Sequence, residues 1–391
     1  MYTVLTTCPP YGSRNVGDKL IEQRMKELVQ REKGEAEFVT IFREEPLDDH
    51  LDRINASRAV LMPAFPVRDT PMHPGTYRLV EDLRRIEPPL IPIGGNWNVY
   101  PGDAQSRRFV RYSEPTVAFL RHVAGQVAQL SCREYGVCAV LARHGIENTA
   151  MTGDPAWYDL ASIGKPMHRP ARIERVAFSP PLSPYYADQG EQIMRMLAAQ
   201  FPEAQRYCAM HLADAATSGD AQDQKAENSA AMSPDVARKN RRMREVAVEL
   251  GFEVMELAGR LEGMAAYDGM DLHVGYECHA HLYFFSKRRP SVLIAEDARG
   301  VGFNETLGVG GFTGFQRAQS EAAAPRKTLT SGYCTSLAEL AIAPPRLEVH
   351  EAVRQFLEQE LANGFRRYVG LAGYLDEIYE QVMRPFIRAL P

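Results

Sequence analysis

The stretch DLHVGYECHAHLYFFSKRRPSVLIAEDARG, residues 271–300, decides the fold. Residues 271–275 are a short strand-like run, 277–287 carry a helical pattern, and 290–295 (PSVLIA) return to a strand. A strand, a helix and a second strand in this order make a parallel β-α-β unit. At its first junction stand Glu277, Cys278, His279 and His281, and at its second stands Arg299.

The same alternation extends outward in both directions. The first half predicts strands at 2–7, 37–43, 58–63, 89–93, 126–131 and 147–152, and helices at 17–31, 47–55, 76–86, 114–124 and 134–144. Residues 162–172 (SIGKPMHRPAR) have no period and are rich in Pro, Gly and basic residues, so they mark a boundary. A second series follows, with strands at 174–179, 205–211 and 252–257 and helices at 188–200, from Ser233-Pro234-Asp235 to about 250, and near 261–267. Two amphipathic helices, 346–362 and 373–388, close the chain. The expected fold is α/β: two Rossmann-like lobes with mostly parallel sheets, 1–161 and 173–340, and a C-terminal helical tail, 345–391, packed back on them. Residues 213–232 are small and polar and are expected to form a long loop, a lid over the crevice.

Composition narrows the classes of function. The chain has 391 residues, 45% hydrophobic and 24% charged, with a net charge of −5. That is an ordinary soluble balance and gives no reason to propose nucleic acid. No apolar run approaches the roughly 20 residues of a membrane span, and MYTVLTTCPPYG does not read as a secretion signal. The six scattered cysteines lack any C-x-x-C pair and read as reduced thiols of a cytoplasmic protein. RKNRRMR, 238–244, reads as a solvated helix face, with contact to anionic lipid as the other reading.

Ligands of open α/β sheets bind where strands end and helices begin. Four such junctions carry polar groups. CPPYGSRNVGDKL (8–20) has Gly12, Asn15 and Gly17 at a helix start, which favours an anion. PIGGNWNVYPGD (92–103) is a glycine turn with amide and aromatic groups. In QLSCREYGVCAVLARHGIENTAMTGDPAW (129–157), Arg133 follows a strand and can hold an anion or pair with a surface acid, and Asp154-Pro155 reads as a turn. In the opening stretch, His279 and His281 are two apart and point away from each other on a helix, which argues against zinc. Glu277 and His281 are four apart and can pair, leaving His279 for the crevice. Arg133, His279 and Arg299 can converge on one anion, with His279 as acid or base.

On NVGD, CREYGVCAVLARHGIENTAMTGDPAW and GYECHAHLYFFSKRRPSVLIAED, the chain resembles the polysaccharide pyruvyl transferase family over roughly residues 1–305. The resemblance implies a GT-B-like fold, glycosyltransferase-like in its two lobes. It implies transfer of a pyruvyl group from phosphoenolpyruvate, as co-substrate and without a metal or other cofactor, to two hydroxyls of a sugar. The product is a ketal on a cell-surface polysaccharide or its lipid-linked precursor. It assigns His279 the catalytic role, Arg133, Arg299, Asn15 and Gly17 to the donor, and Glu277 and His281 to modulating positions. It also implies work at the inner face of the membrane, with peripheral contact left open.

The resemblance implies a leucine where Cys278 stands and often a lysine where Arg299 stands, but the departure with the largest consequence is Glu277. Glu277 stands where the resemblance implies an arginine of an Arg-Leu-His segment, and a carboxylate there should repel an anionic donor by about 4 kcal/mol at ~4 Å. Lys287, Arg288 and Arg289 lie at the far end of the helix, while Arg14 or His273 could compensate. The competing expectations are a GT-B glycosyltransferase using a nucleotide sugar, and a donor-impaired homologue serving as a scaffold in glycan assembly.

Overall fold

The computed structural model describes residues 1–8, 15–69, 72–212, 233–317 and 333–391. Gly12, Arg14 and the proposed lid at 213–232 lie outside the described residues.

The first lobe contains strands β1 (Tyr2–Thr6), β2 (Phe38–Phe42), β3 (Val60–Pro63), β4 (Pro66–Val67), β5 (Leu90–Ile93), β6 (Asn96–Trp97), β7 (Leu130–Cys132) and β8 (Thr149–Met151). Its main sheet has the parallel order β2-β1-β3-β5, and β7 pairs with β8. A parallel bridge between Gly95 and Cys132 joins the two sets. The second lobe contains β9 (Arg175–Ser179), β10 (Gln205–Met210), β11 (Phe252–Glu256), β12 (Leu272–Gly275), β13 (Ser291–Ala295) and β14 (Gly311–Thr313). Their order is β11-β10-β9-β12-β13-β14, parallel throughout. Counted within the lobe this is 3-2-1-4-5-6, the dinucleotide-fold order, and it reverses direction between β9 and β12. The expected architecture of two Rossmann-like lobes with parallel sheets and a helical C-terminal tail is thus the one observed.

The helix Val16–Lys33 starts where Asn15 caps it, and it buries Leu20, Ile21, Met25, Leu28 and Val29 on one face. The helix Cys278–Ser286 is buried at every position from His279 to Ser286. A helix enclosed on all sides must give each polar side chain a specific environment, and that constrains both its histidines. One apolar core runs from the first helix through the second lobe into the C-terminal helices. The tail returns to the first lobe: Tyr2 donates to Pro391 O at 2.6 Å, and Glu32 holds Arg384 and Arg388 at 3.0 and 2.7 Å. No helix among the described residues is long and apolar enough to cross a membrane.

Three sequence expectations need correction. Residues 76–86 do not form a helix, because Arg78 N–H donates to Arg43 O and its carbonyl accepts from Leu47 N–H. Those lateral bonds leave room only for a 3₁₀ turn, Leu83–Arg85. The strand expected at 126–131 is confined to Leu130–Cys132, after turns ending the preceding helix. The second series continues past 295 into a helix, Ala298–Leu307, and β14. Gly300 and Gly302 blur its helical pattern, yet close packing requires them. A Cβ on Gly302 would lie 2.5 Å from Glu134 Cδ.

Candidate functional site

The site forms where the second sheet reverses direction, at the carboxyl ends of β9 and β12. These strands approach closely: a Cβ on Gly275 would fall 2.3 Å from Ser179 Oγ. Glu277 then ends the turn and begins the buried helix without capping it by its own side chain. The cavity beside it is lined by Leu182, Tyr276, Glu277, Cys278, His279, Glu296, Asp297, Arg299 and Gly300, with a volume of about 10 Å³. That is room for about one water, well below ligand-site volumes, so a donor enters only as the lining side chains move apart.

The first lobe closes on this helix start. A Cβ on Gly17 would lie 1.9 Å from His279 Nδ1, so the first helix lies directly against the imidazole. Asn15 Oδ1 accepts from Gly17 N–H at 2.8 Å. Gly17 therefore serves by having no side chain, and Asn15 by capping the helix. Gly17→Ala must displace either the ring or the helix. It should cost about 1–3 kcal/mol as an overpacked contact and lower turnover about 100-fold through misplacement. Denaturant midpoints and steady-state rates check both, and a neutral outcome would contradict this contact.

Arg133 is buried beneath the same face. Its guanidinium lies 4.7 Å from the centroid of Phe303, and its Nη1 is 3.6 Å from Asp154 Oδ2. Its Nε and Nη2 are buried with no hydrogen-bond partner among the described residues, and so is Asp154 Oδ2. Arg133 therefore pairs loosely with buried Asp154 and not with a surface acid. Asp154, read from sequence as a turn residue, also caps the turn by accepting from Ala156 N–H at 2.9 Å. Glu134 turns away and caps the helix Tyr135–Ala142. Arg299 is held in a fork by Asp297, with Nε–O distances of 3.2 and 3.0 Å.

The two guanidinium charges and burial set the protonation of their neighbours. Burial first, then Arg133 and Arg299, hold His279 well below its ordinary value, so it is a neutral imidazole. Its Nε2 is buried with no hydrogen-bond partner among the described residues. Burial pushes the Glu277 carboxyl up to about 8 despite the opposing pull of Arg299. Glu296 is pushed up to about 7 by burial, while Leu182 and Ser183 N–H groups donate to it at 2.7 and 2.9 Å. At neutral pH Glu277 is thus mostly uncharged, and the expected repulsion between it and an anion is removed by protonation.

Two further expectations fail. Glu277 and His281 share only the backbone bond from His281 N–H to Glu277 O, and the His281 ring turns to Ser291 Oγ at 2.8 Å. His273 supplies no compensating cation, because burial holds it well below its ordinary value. Lys287, Arg288 and Arg289 are engaged at the far end of the helix, by Asp159, by Asp376 with Ser162 O, and by Met270 O. Among the described residues no group of three His, Cys, Asp or Glu side chains is placed to hold a metal ion. Sequence reading missed Asp154, Glu296 and Asp297, whose one signal was their position at strand ends.

The Glu277 shift has a measurable sign. Its folded value, about 8, lies above the ordinary 4.5, so its stabilising contribution is complete below that ordinary value and is lost as pH rises through the folded one. Glu277→Gln should match the parent in acid and become more stable between pH 4.5 and about 8, by a few kcal/mol. Melting temperatures across this range check it; a constant difference would mean that Glu277 ionises normally.

No family model matches the chain, and no curated protein matches it. Among solved structures it is similar to S. aureus MnaA with UDP, at 12% identity and a TM-score of 0.43 over 96% of this chain and 93% of that one. It is also similar to a putative UDP-N-acetylglucosamine 2-epimerase from Listeria monocytogenes (11%, 0.45, 98% and 96%). A third is the wall teichoic acid polymerase TagF (13%, 0.40, 98% and 89%). All three TM-scores lie below 0.5, and these likenesses carry no argument about the chemistry of this chain.

Proposed function

We propose that the protein transfers the pyruvyl group of phosphoenolpyruvate to two hydroxyls of a sugar in a cell-surface polysaccharide or its lipid-linked precursor, forming a ketal. The carrying observation is the placement of the Glu277 carboxyl, the His279 imidazole and the Arg299 guanidinium around one cavity at the helix start, where burial raises Glu277 and lowers His279, and Arg133 acts on the imidazole from beneath. Environments that drive two groups apart in this way assign an acid and a base. Arg133, with two open donor atoms, and Arg299 hold the phosphate and carboxylate.

Glu277 donates its proton to the methylene carbon of the enol, which leaves the adjacent carbon electrophilic. His279 Nε2 takes the proton of the first sugar hydroxyl as its oxygen bonds to that carbon. The second hydroxyl bonds to the same carbon as the C–O bond to phosphate breaks. Its proton restores Glu277, and the proton on His279 leaves with the phosphate. The departure from the family's arginine thereby becomes the acid of the reaction.

A second reading is a glycosyltransferase using a nucleotide sugar. The 3-2-1-4-5-6 strand order supports it, since nucleotides bind across such a reversal. Thermal shifts with phosphoenolpyruvate and with nucleotide sugars separate the readings, because a ligand that binds the folded state raises its melting temperature. A shift with nucleotide sugars alone would reject the pyruvyl reading.

A further inference from the structure

Two buried histidines take no part in this chemistry. His273 in β12 and His281 in the enclosed helix are both fully buried, where an unsatisfied polar ring is costly. Hydrogen bonds join them to the start of the site helix. Glu277 N–H donates to Ser179 Oγ at 3.1 Å, and Ser179 Oγ meets His273 Nε2 at 2.8 Å. His273 Nδ1 meets Ser291 Oγ at 2.8 Å, and Ser291 Oγ meets His281 Nδ1 at 2.8 Å. The links cross three adjacent strands, β9, β12 and β13, and end on the residue that supplies the proposed acid.

We infer that Ser179, His273, Ser291 and His281 form a one-way hydrogen-bond chain that fixes the Glu277–His279 turn, with Ser179 and His273 as positioning residues. The direction follows from counting protons. Of the two partners of Ser179 Oγ, Glu277 N–H can only donate, so the hydroxyl hydrogen has His273 Nε2 as its acceptor. The single proton of neutral His273 is then on Nδ1 and goes to Ser291 Oγ. Ser291 passes its hydrogen to His281 Nδ1, which leaves the His281 proton on Nε2. His281 Nε2 is buried with no hydrogen-bond partner among the described residues, and its ring packs on Phe285 with centroids 4.1 Å apart. The reverse direction would leave the Ser179 hydroxyl hydrogen, buried between the strands, with no acceptor among its bonds.

The chain acts on the site in a way that ordinary core packing would not. Gly275 and Ser179 pair across the two strands, and the bond to Glu277 N–H fixes where the carboxyl leaves the turn. Displacing that acid by a fraction of its reach affects proton transfer more than donor binding, since the arginines holding the donor sit on other elements.

The turnover part of this inference rests on the proposed function, while the proton arrangement does not. Imidazole ¹⁵N spectra of the full chain should show His273 protonated on Nδ1 and His281 on Nε2. Ser179→Ala should speed hydrogen exchange of the Glu277 amide about tenfold, and lower kcat for ketal formation about tenfold with KM for phosphoenolpyruvate nearly unchanged. Ser291→Ala, one link further away, should lower kcat less and also leave KM nearly unchanged. A His273 proton on Nε2, or unchanged Glu277 exchange in Ser179→Ala, would overturn the chain. Unchanged kcat in both variants would overturn its positioning role. Absence of pyruvyl transfer by the parent protein, with both spectral results as expected, would reject the proposed function and leave the chain standing.

Discussion

Replacing His279 with alanine is expected to lower ketal formation about 10³-fold while the protein stays folded. General acid–base catalysis contributes roughly 10²–10⁴-fold, and His279 is the one imidazole lining the cavity. The stability change should be modest. The variant loses packing against Gly17, but it also removes a buried Nε2 that has no partner among the described residues. The two consequences oppose each other. Circular dichroism and melting temperature report the fold, and single-turnover rates report the chemistry. Unchanged turnover would remove His279 from the mechanism.

Arg133→Met should have the largest effect on stability. It leaves Asp154 fully buried without its cation, and breaking a buried pair from one side costs about 3–5 kcal/mol. It should also weaken donor binding about 100-fold, because a charge-assisted bond to an anion is worth roughly 1.5–3 kcal/mol. The double variant Arg133→Met/Asp154→Asn separates the two effects. Removing both charges should recover most of the stability without recovering donor affinity. Recovery of both would reduce Arg133 to a structural role.

The fold was readable because both sheets are parallel and enclosed. Their strands are short apolar runs, and each intervening helix keeps its own period. The reading failed where neighbours across space override the local pattern. Residues 76–86 have a helical pattern but bond sideways to 43–47, and Gly300 and Gly302 hide a helix that needs them for close approach. The site was readable in part for the same reason. Sequence position placed Arg133, His279 and Arg299 at strand ends. It could not give the depth of burial that makes Glu277 neutral, nor the Ser291 hydroxyl that draws His281 away from it. The sign of Glu277's influence on an anion therefore depended on tertiary structure alone.

The central claim is that an anionic donor binds beside a protonated Glu277. Calorimetric titration with phosphoenolpyruvate from about pH 6 to about pH 9.5 tests it most directly. Binding should be strong near neutrality and weaken as pH passes about 8, where Glu277 ionises, and Glu277→Gln should hold its affinity across that range. Phosphoenolpyruvate that fails to bind at any pH, or binds with no dependence on Glu277, would contradict the account.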